Sequence, residues 1–487
     1  MTADSASLDP APDVSGTPVR VPEPAWVRHA IVWHVLPLGA VGAPALRPEG
    51  DPDNPSSPAG AMAAQHRLRR LIDWLDHLVA LGANVLLLGP VFDSMSHGYD
   101  TIDYHRVDPR LGTNEDLIDL IEAAHDKGVR VVLDGVFNHT GINYPAFAGL
   151  AQTGPDSPEA GMYRLTWPAD GAGWTPGTGP SDYTRFEGQD WLPALDHSSQ
   201  AVAELVTGVM TSWCERGVDG WRLDAAYAVD PAFWTRVLPP VRERFPQVYV
   251  LGEVIHGDYA GMVRASGMNA VTQYELWQSL WHSLAEANFY ELDWTLQRGA
   301  ELLETFIPYT FIGNHDTSRI ASQVGDLAGH ALALLMTLPG TPAVYYGDEE
   351  GWRAVKEERL GGDDAIRPEL PATPEALGED GAATRHLYQE LIALRRRLPW
   401  LHDAAYATLH LDNSVLALVV REREGSDWQL AEGTPREVVL ALSLEETEVW
   451  LPSAGHHEVL AAAHDRPRPR PERDGVVLPP RGWAVLA

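Results

Sequence analysis

Apolar runs recur along the chain at 30–36, 84–91, 129–137, 218–224, 248–254, 270–274, 310–314 and 343–346, each bounded by polar or turn-forming residues. They are nearly continuous in Val, Leu, Ile and aromatic residues, as expected of parallel strands covered on both faces. Between most of them the apolar spacing widens to three or four, for example at Leu68, Leu71, Ile72, Leu75, Leu78 and Val79, which predicts amphipathic helices. Before the third run, Thr113 followed by Asp116 has the spacing of a capping box, and Gly128 marks the helix stop. Eight strand-like runs alternating with helix-like ones predict an α/β fold, a (β/α)₈ TIM barrel. A doubly wound sheet is disfavoured, because no Gly-x-Gly-x-x-Gly turn follows the first run.

Two regions break the alternation. Residues 140–195 turn irregular and rich in Gly, Pro, Trp and Tyr, and an insertion of that size after the third strand is usually functional. From residue 400 the pattern becomes period two, at 405–411, 414–421, 437–444 and 449–451, which predicts a C-terminal all-β sandwich domain over 400–487. The barrel then occupies 26–139 and 196–399. Residues 1–25 are rich in Asp, Ser, Ala and Pro without a basic start or an apolar segment, so a disordered tail and a cytoplasmic location are expected.

Composition narrows the chemistry. A formal net charge of -32 repels phosphate and argues against nucleic acid, and no run is long enough to span a membrane. The single cysteine, Cys214, excludes an internal disulfide and any multi-thiolate metal site. In its apolar stretch it reads as a buried packing residue. Nothing in the sequence indicates an oligomeric state.

Four runs end in polar rather than turn residues: Asp134 to His139, Arg222 to Asp224, Glu253, and Asn314 to Asp316. In a barrel these strand ends share one face. Cleaving a glycosidic bond needs a proton for the leaving oxygen and an anion beneath the developing oxocarbenium ion, which two carboxylates in different environments supply. Arg222, on the same strand face as Asp224, is expected to hold that aspartate ionised. Glu253, between Val-Leu-Gly and Val-Ile, is expected in apolar company that favours its protonated form.

These segments, together with His97-Gly98-Tyr99-Asp100, Trp191 to Asp196 and Gly340 to Glu349, resemble the conserved regions of the alpha-amylase family of glycoside hydrolases. The resemblance runs in order from about residue 30 to 368. It implies Asp224 as nucleophile, Glu253 as acid/base and Asp316 as the acid that holds the distorted sugar. His139 and His315 would hydrogen-bond that sugar, Arg222 would orient Asp224, Tyr99 would stack beneath the ring, and Asp134 would organise the site. The implied activity is retaining hydrolysis of alpha-linked glucooligosaccharides, α-1,4 and also α-1,6, with no required cofactor. A transglycosylase or isomerase with the same covalent intermediate, or a non-enzymatic carbohydrate-binding relative, are the alternatives.

Departures from the family pattern bear on specificity. Asp224-Ala-Ala is followed by Tyr227-Ala228 rather than the Lys-His of many endo-acting amylases, which points to short oligosaccharides. Ser96-His97 stands where exo-acting alpha-glucosidases often carry Asp-Asn. Asn138 matches a residue that binds structural calcium in many relatives, with Asp182, Asp190 and Asp196 as candidate partners. Trp167, Trp174, Tyr183 and Phe186 are candidates for stacking on sugars, or for the insertion's own core. The loop from Lys356 to Pro368 resembles a family loop ending in Arg-Pro, whose acids would face a sugar or solvent.

Overall fold

A computed structural model describes residues 20–168, 174–359 and 361–487. Eight parallel strands, β1 (Val32–Val35), β2 (Val85–Leu88), β3 (Arg130–Gly135), β4 (Gly220–Leu223), β5 (Tyr249–Gly252), β6 (Ala270–Val271), β7 (Tyr309–Phe311) and β8 (Thr341–Tyr345), lie in the order β6-β5-β4-β3-β2-β1-β8-β7. A parallel bridge between Thr272 and Tyr309 joins the two end strands and closes the barrel. Each predicted run overlaps one of these strands, with β7 and β8 starting one and two residues before theirs. Most strands are shorter than the runs because the last residues of each run leave the ladder to form the loops above it.

The helices cover the barrel with the predicted faces. Thr113 caps the helix Asn114–Asp126, its side chain accepting from Asp116 N–H while the Asp116 carboxylate accepts from Thr113 N–H. Before β2 the helix is broken at Trp74 into Arg70–Asp73 and Leu75–Leu81. Leu68, Leu71, Leu75 and Leu78 are buried there, whereas Val79 is exposed. The face turns at Trp74 because its indole is buried and stacks on Trp33 of β1, with ring centroids 6.1 Å apart. Cys214 ends a barrel helix and packs buried in its core, which pushes its thiol up to about 11.

The insertion is stitched to the barrel by bridges from His139 to Ala194 and from Tyr163 to Leu195. A short antiparallel pair, Leu165–Thr166 with Asp182–Tyr183, forms part of it. The C-terminal strands β9 (Ala405–Leu411), β10 (Val415–Arg421), β11 (Glu437–Ser443), β12 (Val449–Pro452), β13 (Val459–Ala462), β14 (Arg470–Glu472), β15 (Gly475–Leu478) and β16 (Trp483–Leu486) make two sheets, ordered β9-β10-β11-β16-β13 and β12-β15-β14. Alternation assigns the two faces of the larger sheet. Val415, Ala417, Val439, Ala441 and Leu486 meet Leu451, Val476 and Leu478 of the smaller sheet. Leu416, Leu418, Leu440, Leu442 and Val485 join the barrel's core instead. No described helix is long and apolar enough to cross a membrane.

At the chain start the structure departs from expectation. Residues 1–19 of the expected tail lie outside the described residues, but 20–25 are tied down. Arg20 Nε donates to Leu303 O at 2.8 Å, Val21 N–H to Thr305 O at 2.8 Å, and Asn269 Nδ2 to Pro22 O at 2.8 Å. Composition misses this because bonding partners 247 to 284 residues away leave no local pattern.

Candidate active site

The parallel register places Asp134 of β3 directly beside Arg222 of β4, and Leu223 beside Gly252 of β5. Asp224 and Glu253 follow one residue later at the same barrel end, their N–H groups donating to Gly135 O at 3.0 Å and Leu223 O at 2.9 Å. The Arg222 guanidinium therefore meets three carboxylates. Nη1 donates to Asp134 at 2.6 and 2.7 Å and to Asp224 Oδ1 at 3.2 Å, while Nη2 donates to Glu253 Oε1 at 2.6 Å.

A second chain of contacts brings in the other predicted residues. Tyr99 donates its hydroxyl to Asp134 Oδ2 at 3.2 Å and also touches His315 Nε2. His315 Nε2 lies 3.0 Å from Asp316 Oδ2, and Arg367 Nη2 holds Asp316 Oδ1 at 3.0 Å. Tyr99 reaches this position from a tight turn in which Gly98 has φ 98°, where a Cβ would also sit 2.9 Å from Pro90. The side chains grade outward, with Asp134 0%, Glu253 8%, Asp224 10% and Asp316 33% accessible. A ligand in the cleft can reach the last three, while Asp134 organises them from beneath.

Electrostatics corrects the expected pairing. Arg222 makes its shortest bonds to Asp134 and Glu253, not to Asp224, because the register sets Asp134 at its side. Burial and the neighbouring Glu253 charge push the Asp224 carboxyl well above the usual carboxylate range, against the lowering effect of Arg222. Burial likewise raises Asp134, to about 6. Burial and the neighbouring acids thus hold both Asp134 and Asp224 above the usual carboxylate range, although both share one guanidinium. Glu253 also lies in more polar surroundings than its neighbours in sequence imply. Its Oε2 accepts from Ala225 N–H at 2.9 Å and its Oε1 from Tyr274 Oη at 3.2 Å.

His139 is buried and stacks on Phe186 of the insertion, ring centroids 4.5 Å apart. Its Nε2 donates to Tyr99 O at 2.9 Å, and its Nδ1 lies 3.1 Å from Asn138 Nδ2. Burial lowers its pKa to about 4, so the ring is neutral. In this arrangement both nitrogens are spent on holding Tyr99 and Asn138, and the histidine positions the ring beside it. Of the insertion's aromatics, Phe186 stacks on His139 of the site. Tyr183 packs on Phe147 at 4.9 Å, Trp174 Nε1 donates to Thr178 O at 2.8 Å, and Trp167 packs on the core.

The carboxylates proposed as calcium donors beside Asn138 have partners within the protein. Asp182 and Asp190 are both 2.6 Å from Arg185, and Asp196 Oδ1 accepts from Ser198 Oγ at 2.8 Å. The Asn138 amide is turned to His139.

Three contributors were not assigned from the sequence. Tyr274 bridges Glu253 and Asn314, its hydroxyl accepting from Asn314 Nδ2 at 2.8 Å. It stands at the end of the sixth apolar run, so the strand-end rule that found the acids would have found it. Arg367 belongs to the Arg-Pro loop that drew notice for its acids, yet its guanidinium is what holds Asp316. Ala225, whose N–H binds Glu253, sits in the left-handed region at φ 46°. An alanine there has no sequence signal; such strain persists where surrounding structure enforces it.

Comparison with known proteins agrees with this fold. The family model for the alpha amylase catalytic domain matches residues 65–404. A cyclomaltodextrinase from Geobacillus thermopakistaniensis is 30% identical over 481 residues, spanning 95% of this chain and 78% of that one. Neopullulanase 2 from Thermoactinomyces vulgaris is 30% identical over 410 residues, 80% of this chain and 66% of its own. Among solved structures, cyclic alpha-maltosyl-(1→6)-maltose hydrolase from Arthrobacter globiformis superposes with a TM-score of 0.73 at 24% identity, covering 96% of this chain and all (100%) of the other. At that identity it speaks to the fold alone.

Proposed function

Because the chain belongs to the alpha-amylase family of glycoside hydrolases, we propose that it hydrolyses short or cyclic α-1,4-linked glucooligosaccharides, and α-1,6 links within them, with retention at the anomeric carbon. The observation that carries the reading is the excess of buried acid at one barrel end, Asp134, Asp224 and Glu253 on the one guanidinium of Arg222, joined through Tyr99 and His315 to Asp316. Such a cluster is strained as an anion and relaxes when positive charge develops on a sugar above it.

In the first step Glu253 gives its proton to the glycosidic oxygen as that bond breaks, and Asp224 forms an ester to the anomeric carbon. In the second, Glu253 takes a proton from water, whose oxygen displaces Asp224 and restores the α configuration. Asp224 Oδ1 is held by Arg222, and its other oxygen meets no hydrogen-bond donor among the described residues, leaving it for attack. Asp316, fixed by Arg367 and His315, binds hydroxyls of the distorted ring.

The leaning toward short substrates rests on Tyr227. Its hydroxyl donates to Glu187 Oε1 of the insertion at 2.8 Å and its N–H to Glu253 O at 3.1 Å. This clasp stands on the leaving-group side where endo-acting relatives carry a lysine and histidine. Support for cyclic substrates and for α-1,6 links comes from the names of the relatives, cyclomaltodextrinase and neopullulanase. The test is product analysis by chromatography and by NMR of the anomer over maltotriose, cyclomaltodextrins, pullulan and soluble starch. Release of α-anomers from the short and cyclic sugars, faster than from starch, is expected. Inverted β-anomers, transfer products only, or a preference for starch would overturn the reading.

A further inference from the structure

Away from the cleft, metal-ligating side chains from two domains meet. The last barrel helix, Ala382–Arg397, carries His386 and Glu390 one turn apart, so both project from one side of it. His464 enters from the loop after β13 in the C-terminal domain. One ligand atom from each of the three lies within 4.8 Å of the others, the two imidazole rings are 5.5 Å apart, and His464 Nε2 is paired with the Glu390 carboxylate. That ion pair accounts for two of the residues. It leaves His386 without a hydrogen-bond partner among the described residues, although its ring faces the other imidazole.

We propose that His386, Glu390 and His464 form a site for a borderline divalent cation, zinc fitting best, that fastens the β domain to the last barrel helix. Two imidazole nitrogens and one carboxylate oxygen are the donors that tetrahedral zinc takes, with water in the fourth place. Bonds of about 2 Å to a shared ion require the three donors to close in from their present spacing, and rotation of side chains with His386 and His464 exposed provides for that. Water has access, since His464 also lines a cavity of about 300 Å³ between barrel and β domain. The nearby Arg466 is neutralised by Asp326 at 3.0 Å and Asp465 at 3.4 Å. Calcium and magnesium, which prefer six or more oxygens or several retained waters, do not suit this donor set.

The site is tested on the full-length enzyme after chelator treatment, by calorimetric titration with zinc and by melting curves with zinc, magnesium or calcium. One zinc per chain at micromolar concentration is expected, with a melting temperature that rises with zinc and not with the other two. His386→Ala and His464→Ala should each weaken zinc binding by at least about tenfold and remove the zinc-dependent rise, with glycoside hydrolysis unchanged. Absence of zinc uptake by the wild-type chain, or an isotherm left unchanged in the double variant His386→Ala/His464→Ala, would overturn the assignment.

Discussion

Two buried ionic groups near the barrel's β2 and β3 strands are built to opposite plans. Behind the hairpin Phe92–Ser94/Thr101–Val107, Asp108 and Arg110 are each nearly inaccessible, and one carboxylate meets one guanidinium. Arg110 Nε and Nη2 donate to the two Asp108 oxygens at 2.9 and 2.7 Å, and its remaining N–H groups go to Ser94 Oγ at 2.8 Å, Ala45 O at 3.0 Å and Ser96 O. Asp108 accepts further from Ser94 N–H and Oγ, at 3.2 and 3.0 Å. In the cleft, by contrast, one guanidinium serves three acids, and part of their charge is uncompensated. A saturated pair does structural work: by gripping Ser96 O, Arg110 anchors the turn that presents Tyr99. An unsaturated cluster stores proton affinity and field, which is what chemistry uses.

The largest expected effect separates the two groups by what breaks. Asp224→Asn or Glu253→Gln should lower kcat by on the order of 10⁴-fold or more, while leaving the melting temperature unchanged or raised, because each removes a like charge from an overfilled site. Asp108→Asn should do the reverse. Stripping the partner from a buried guanidinium costs about 3–5 kcal/mol, with activity per folded molecule largely kept. Urea denaturation beside single-turnover assays decides it; if Asp224→Asn lost as much stability as Asp108→Asn, the contrast would fail.

How much of this contrast the sequence carries depends on the range of the interaction. Asp134, Arg222, Asp224, Glu253 and Asp316 were legible because apolar strands ending in acids are a local pattern, and a barrel puts all such ends on one face. The partner of Arg222 was not legible. Its nearest acid in sequence is Asp224, but strand register, a long-range property, sets Asp134 beside it. Glu253 looked apolar by its chain neighbours, yet its carboxylate is met by Arg222 and Ala225 at the end of β4 and by Tyr274 after β6. For the same reason the hydrogen-bonding of His139 to the backbone of Tyr99 leaves no trace in the spacing of residues.

Stability against pH sharpens the comparison with a smaller effect. Asp134 has a folded pKa of about 6, against about 3.9 in an unfolded chain. Between those values the native state binds more protons than the unfolded one, so this group's contribution to stability falls as pH rises through the window and is flat above it. Asp224, also displaced upward by burial and by Glu253, acts in the same direction. Asp219 acts oppositely, because hydrogen bonds from His125, Val131 and Arg130 outweigh its burial and lower it; its contribution is present at neutral pH and lost on acidification. Subtracting wild-type from Asp224→Asn stability cancels Asp219 and leaves the cluster. The variant's advantage should widen as pH rises from about 5 to 8. A gap that stayed constant or narrowed would mean that the cluster is compensated after all.

Within the cleft, Tyr99→Phe keeps the ring that stacks on His315 at 5.6 Å and removes only the hydroxyl between Asp134 and His315. A hydrogen bond to a charged group is worth about 1.5–3 kcal/mol, so kcat/KM should fall by roughly ten- to a hundredfold with stability nearly unchanged. An equal loss in Tm would place Tyr99 with the structural pair instead.

The mildest change tests where the cleft's plan ends. Glu187 belongs to the insertion, has φ 47° and meets Tyr227, whose backbone N–H bonds to Glu253 O. Its carboxylate touches none of the three cluster acids, so Glu187→Ala should leave the first chemical step within about threefold. What it removes is one side of the leaving-group wall and a charge beside Tyr227, whose hydroxyl is held protonated by burial and by that carboxylate. Longer chains should then be accepted better, seen as a rise in kcat/KM on soluble starch relative to maltotriose. If instead the rates on both substrates fell together, the clasp would be part of the catalytic arrangement rather than a gate on substrate length.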